Sequence, residues 1–314
     1  MRTMALALVL LLSANGARAA EPFTVILDWF VNPDHAPLIV AQEQGFFAAQ
    51  NLDVELVAPA DPADPAKLVA AGRADLGISY QPELHLQVEQ GLPLVRIGTL
   101  IATPLNALIV RADSGIEAIE DLRGRQIGFS VTGFEDAVLG TMLRDAGLEP
   151  GAVELINVNF ALTPALLSGQ VDAVIGGYRT FEMIQLDLEG VAARAFFPEE
   201  HGVPVYDELI YIANRERLDD PRLGRFLTAV EHGMTYLVNH PDESYGLFVR
   251  AHPDLDDELN RRAFAETLPR FALRPFALDS GRYATFARFL EQNGLIKAAE
   301  PAAAYAVELA RPGD

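Results

Sequence analysis

An eight-residue phrase that occurs twice does most to limit what this chain can fold into. Ala71-Gly72-Arg73-Ala74-Asp75-Leu76-Gly77-Ile78 returns as Ser168-Gly169-Gln170-Val171-Asp172-Ala173-Val174-Ile175. Each copy reads as a helix ending at glycine, a tight turn, and an aspartate entering a buried strand. An aromatic follows each copy, Tyr80 in the first and Tyr178 in the second. A second echo joins Leu38–Gly45 with Val138–Gly147, each a helix ending at glycine after a strand and a loop. Both echoes keep the same order, so the chain reads as two lobes of related topology.

Between the echoes, apolar runs alternate with helical patterns. The expected strands are Phe23–Leu27, Asp53–Val57, Leu76–Ser79, Val95–Leu100, Ala107–Val110, Gln126–Phe129, Glu154–Asn157, Val171–Ile175 and Leu209–Ala213. That alternation predicts an α/β chain with parallel sheets and crossover helices. Ala107–Val110 and Leu209–Ala213 would carry the chain from one lobe to the other. Lobe one would span 21–105 plus 210–314, and lobe two 106–209, with a ligand cleft between them. Pro221–Val238, Pro241–Ala251, Leu255–Leu268 and Ser280–Asn293 carry apolar residues at helical spacing, with Gly294 as a C-cap. Asp61-Pro62-Ala63-Asp64-Pro65 is a rigid loop in which Asp64 or Pro65 opens the next helix.

Residues 1–20 read as a signal peptide. Arg2 supplies a positive start, Met4–Leu12 an apolar core too short to span a bilayer, and Ala17-Arg18-Ala19 a cleavage signal. Cleavage after Ala19 or Ala20 leaves a mature chain of about 294 residues, enough for two domains. The expected location is the periplasm. The chain has no cysteine, which excludes disulfides and thiol catalysis. Its six histidines are scattered and form no zinc pattern. The formal charge is −20, and loss of Arg2 and Arg18 leaves 22 Lys+Arg against 44 Asp+Glu, or −22. A field of that sign repels nucleic acid and anionic lipid.

The loop Asp28-Trp29-Phe30-Val31-Asn32-Pro33-Asp34-His35 follows the first strand and holds the only tryptophan. Open α/β sheets bind ligands in such strand-to-helix loops. Asn32-Pro33-Asp34 is turn chemistry, with Asp34 as a possible N-cap. Trp29 offers a flat face to an aromatic guest or packs beneath the loop. His35 is a polar handle or a brace for its own loop. Asp28 is expected to hold backbone amides.

Leu-Asp-Trp-x3-Pro-Asp-His-Ala-Pro, Ala-Gln-Glu-Gln-Gly-Phe-Phe and Leu-Asp-Val-Glu-Leu together resemble the solute-binding proteins of ABC importers. The group concerned shares its fold with the fungal thiamine-pyrimidine synthase. Gly176-Gly177-Tyr178-Arg179-Thr180-Phe181-Glu182 is similar to exported members that bind thiamine-pyrimidine precursors such as formylaminopyrimidine or hydroxymethylpyrimidine. The resemblance covers nearly the whole mature chain. It implies a two-lobed periplasmic-binding-protein fold of type II, with a doubly wound, mainly parallel sheet in each lobe. It also implies a monomer that delivers a small pyrimidine to an ABC permease in the inner membrane, without a cofactor.

A pyrimidine needs flat apolar faces and a few polar partners at its rim. Trp29, Tyr80 and Tyr178 stand at three expected strand ends, with Phe134 and Tyr206 as further aromatics. Asn32, His35, Gln81, Asn106 and Glu182 are the polar candidates; Asn106 reads equally as hinge or ligand partner. If a helix starts after Gly177, Tyr178 and Glu182 share one face. Gly133 lies in Ser130–Phe134, whose amides would face the cleft and could draw an anion. Glu135 and Asp136 follow at once and read as acids that complement the helix dipole.

Other readings are a binder of an alkanesulfonate, nitrate or a riboflavin precursor, and a synthase-like enzyme. The fungal enzyme uses a lysine carrying pyridoxal phosphate, a histidine and a cysteine cluster. Their places here hold Ser79, Glu83 and no cysteine, so the expectation is a binder and not an enzyme.

Overall fold

Each apolar run expected to be a strand is one in the computed structural model, which describes residues 19–311. Residues 1–18 of the expected signal peptide 1–20 lie outside the described residues. The strands are β1 (Glu21–Ile26), β2 (Leu52–Val57), β3 (Leu76–Ser79), β4 (Leu94–Ile101), β5 (Asn106–Arg111), β6 (Gln126–Phe129), β7 (Glu154–Asn157), β8 (Ala173–Tyr178), β9 (Ala193–Phe196) and β10 (Leu209–Asn214). The helices are α1 (Ala36–Glu43), α2 (Phe46–Ala49), α3 (Asp64–Ala70), α4 (Gln81–Glu89), α5 (Phe134–Asp145), α6 (Leu162–Ser168), α7 (Glu182–Leu188), α8 (Pro221–Asn239), α9 (Pro241–Ala251), α10 (Glu258–Thr267) and α11 (Ser280–Gln292).

Two five-stranded sheets share one plan. The first runs β2-β1-β3-β10-β4 and the second β7-β6-β8-β5-β9. In each, the first three strands are parallel and the fourth is antiparallel to both its neighbours. The sheets are therefore mixed. The antiparallel member is in each case the strand that has just crossed over. β5 follows β4 of the first sheet and joins the second; β10 follows β9 of the second and joins the first.

The repeated phrase earns its register from its aspartate. Asp75 donates its amide to Thr24 O at 3.0 Å and accepts the Thr24 amide on Oδ2 at 3.0 Å. Asp172 does the same with Gln126, at 2.8 and 2.9 Å. Each carboxylate thus extends the parallel ladder by one bond, standing in for a backbone carbonyl as acceptor of the neighbouring strand's amide. Gly72 (φ +67°) and Gly169 (φ +74°) supply the left-handed backbone that ends the preceding helix. Arginines complete both ends: Arg217 and Arg222 on Asp75, and Arg125 on Asp172.

The C-terminal helices pack chiefly on the first sheet's side. α8 lies against α1 and α2, and carries buried Leu223, Phe226, Leu227, Val230 and Met234 at helical spacing. α10 does more than the sequence suggests. It contacts both the 33–35 turn and α7 of the second half, where Arg262 pairs with Asp187 at 2.7 Å. The crossovers are pinned to each other by Glu208, whose Oε2 accepts the amides of Leu105 at 2.5 Å and Asn106 at 3.0 Å.

Candidate ligand-binding site

The carboxyl ends of β1, β3, β6 and β8 and the start of β5 converge on one pocket with about 480 Å³ of atom-free space, open part included. Trp29, Asn32, Tyr80, Asn106, Tyr178 and Glu182 line it. His35, Gln81, Gly133 and Tyr206 do not. Phe134 lines it, together with Asp28, Asp34, Glu135, Leu162, Gly176 and Phe181.

The loop after β1 is built from its own side chains. The Asn32 Oδ1 accepts the Asp34 amide at 2.8 Å, so Asn32, not Asp34, is the cap of the 33–35 turn. The freed Asp34 side chain turns inward and accepts from Thr267 Oγ1 of α10 at 2.9 Å. His35 is wholly buried and braces the loop: Nδ1 accepts the Asn32 amide at 3.3 Å, and Nε2 meets Asp28 Oδ1 at 2.9 Å. An Nδ1 that accepts leaves the proton on Nε2, which then donates to Asp28. Asp28 therefore takes side-chain partners, His35 and the Tyr80 hydroxyl at 3.4 Å, where backbone amides were expected.

Rings form the apolar walls. Tyr80 and Phe134, from the two halves, stack with centroids 5.2 Å apart. Trp29 meets Phe160 edge-on at 4.6 Å, so its indole bridges to the second half while one part faces the pocket. Tyr206 packs behind Phe134 at 6.1 Å and is core. Gln81 lies at the start of α4, where its Oε1 accepts the Asp207 amide at 2.8 Å and ties that helix to the second crossover.

Two expectations change with the strand bounds. β8 runs through Tyr178, and α7 begins only at Glu182. Tyr178 and Glu182 are thus not successive turns of a helix. They meet because Glu182 Oε2 accepts the Tyr178 amide at 2.6 Å. Gly133 caps α5, and the first two amides of the loop before it are already held by a side chain. Glu135 Oε2 takes those of Ser130 and Val131 at 2.6 and 3.1 Å. Gly176 (φ +95°) makes room for this, since a Cβ there would fall inside the Glu135 carboxyl group.

The rim is acidic throughout: Asp28, Asp34, Glu135 and Glu182 line it, and no Lys, Arg or His does. Burial pushes Asp34 up to about 6, Glu182 to about 7 and Glu135 to about 8. In their ionised form such groups favour a guest that donates hydrogen bonds or carries positive charge. Arg179, next to Tyr178 in the chain, is committed elsewhere, to Glu199 at 2.7 and 3.0 Å and to the crossover carbonyls of Leu105 and Asn106. Asp34 and Glu135 were missed as site residues. The internal repeat carried the signal for Glu135, because it sets the loop after β6 at the same sheet edge as the loop after β1.

Among the described residues no cluster of His, Asp and Glu could hold a metal ion, and no helix is long and apolar enough to cross a membrane.

Residues 32–244, more than half of the chain, match the family described as NMT1/THI5 like. A putative thiamine biosynthesis protein of Haemophilus influenzae is 51% identical over 292 residues, 93% of each chain. The formylaminopyrimidine-binding protein of Halalkalibacterium halodurans is 34% identical over 258 residues, 82% of this chain and 78% of that one. A 4-amino-5-hydroxymethyl-2-methylpyrimidine phosphate synthase of Legionella pneumophila is 28% identical over 278 residues, 86% of this chain and 88% of its own. Among solved structures, the periplasmic aliphatic sulphonate binding protein of Escherichia coli superposes with a TM-score of 0.69 at 15% identity, covering 93% of both chains. At that identity the likeness speaks for the two-lobed architecture alone. The chain therefore belongs to the NMT1/THI5-like family and has a periplasmic-binding-protein fold.

Proposed function

We propose that this protein captures a thiamine pyrimidine precursor, formylaminopyrimidine or hydroxymethylpyrimidine, and delivers it to an ABC permease in the inner membrane. In this reading the protein is an exported periplasmic monomer, and lobes 21–105 plus 210–314 and 106–209 close over the ligand at the crossovers. The carrying observation is the acidic rim between aromatic walls. A neutral aminopyrimidine presents an exocyclic amine to a carboxylate, and when protonated a ring N–H as well. A sulfonate or nitrate would meet four carboxyl groups and no cation. The relative that binds formylaminopyrimidine points the same way.

The synthase reading has less support. The chain has two lysines, Lys67 and Lys297, and neither lines the pocket. Ser79 stands where the resemblance puts the enzyme's lysine, and its hydroxyl donates to Glu83 at 2.8 Å. A Schiff base to pyridoxal phosphate has no amine at that position. Mass spectrometry of ligand retained by protein purified without refolding tests the proposal. A bound aminopyrimidine is expected; a retained sulfonate or flavin precursor would overturn it.

A further inference from the structure

Asn106 opens β5 at the first crossover and is 1% exposed. Its Oδ1 accepts the Gly176 amide at 3.1 Å. A backbone N–H can only donate, so that contact fixes which end of the side-chain amide is oxygen. Nδ2 must then point the other way. It is buried, has no partner in the protein, and belongs to a residue that lines the pocket. The backbone of Asn106 cannot turn to relieve this. Its amide is held by Glu208 Oε2 at 3.0 Å and its carbonyl by Arg179 Nη2 at 3.2 Å. Tyr178 also brings a buried, unpartnered hydroxyl to the pocket, but a hydroxyl rotates and can give or accept. Asn106 can only give. An unpaired buried donor is costly, and a ligand atom that accepts from it removes that cost on binding.

We infer that Asn106 is a fixed hydrogen-bond donor that selects ligands with an acceptor nitrogen in the ring, while the carboxylates select their amino groups. Glu208 and Arg179 act as positioning residues, holding the donor where two crossovers meet. This rests on the pyrimidine reading above and adds to it. It assigns the ring-nitrogen specificity to one side chain.

The test is a cycle of ligand and protein changes read by calorimetry. The ligands are 4-amino-5-hydroxymethyl-2-methylpyrimidine and its two pyridine analogues, each with one ring nitrogen replaced by C–H. The proteins are wild type, Asn106→Ala and Asn106→Asp. The aspartate keeps an acceptor for the Gly176 amide, so it separates loss of the donor from loss of folding, which melting of the unliganded variants monitors. Wild type should bind one pyridine about tenfold or more weaker than the pyrimidine. Asn106→Ala should bind the pyrimidine about 10–100-fold weaker, and that same pyridine within about threefold of wild type. Asn106→Asp should weaken the pyrimidine further, because it sets an acceptor against an acceptor. Equal weakening of all three ligands by both variants would overturn the inference and leave the pyrimidine reading intact. Failure of wild type to bind any of the three, and also formylaminopyrimidine titrated alongside, would overturn both.

Discussion

Glu182 heads α7 with one carboxylate oxygen on the Tyr178 amide. Glu182→Gln keeps an acceptor for that amide but puts a donor at the other end of the group. Affinity for the pyrimidine should fall by about 2–5 kcal/mol, the range for a broken buried charged contact. Calorimetry within about threefold of wild type, roughly 0.7 kcal/mol, would remove Glu182 from ligand contact. The unliganded variant should melt no lower than wild type near pH 8, because the neutral amide escapes the desolvation that raises this carboxyl to about 7. At this scale, sequence shows the residues that stand at strand ends, such as Trp29, Tyr80 and Tyr178. It misassigns Asp34, because Asn32 and Asp34 are both good caps and only the three-dimensional turn decides between them. It also cannot show that His35 spends both ring nitrogens inside its own loop.

Between elements, the repeated aspartates carry a direct comparison. Asp75→Ala and Asp172→Ala each leave a strand amide without its acceptor, at a cost of about 1–3 kcal/mol. Asp75 also gathers Arg217 and Arg222, whereas the more exposed Asp172 has Arg125. Asp75→Ala should therefore lower the melting temperature more, measured by calorimetric or dichroism melts. Equal losses, or the reverse order, would contradict that account. Strands that are apolar runs were legible, as was the pairing of the two halves. β9 (Ala-Arg-Ala-Phe) was not, since its sequence has no apolar run. It is an edge strand made by pairing with β5. The end of β8 was legible only to within three residues, because Gly176-Gly177 reads as a turn and yet Gly177 pairs with Ala107 of β5 beyond an irregularity in the ladder.

Over the whole molecule, the buried acids predict an uncommon pH response. Desolvation raises Asp34 to about 6, Glu83, Glu182 and Glu208 to about 7, and Glu135 to about 8. Unfolded carboxyls titrate near 4. Between those values the folded chain holds more protons, so its unfolding free energy falls as pH rises. The contribution is complete below about pH 4 and is lost as pH climbs through 6 to 8. The ligand-free protein should thus melt higher at about pH 5.5 than at about pH 8.5. A melting temperature that rises steadily over that interval would show these acids to be solvated or paired.

Asp34, Glu135 and Glu182 among these acids also line the pocket, with Asp28, and they are the reason for reading it as a pyrimidine site. Calorimetric titration of the native protein with formylaminopyrimidine, and in parallel with taurine and nitrate, puts that claim to the test. Saturable one-to-one binding of the pyrimidine and no binding heat from either anion is the predicted result. Saturable binding of taurine or nitrate, with none of the pyrimidine, would contradict it.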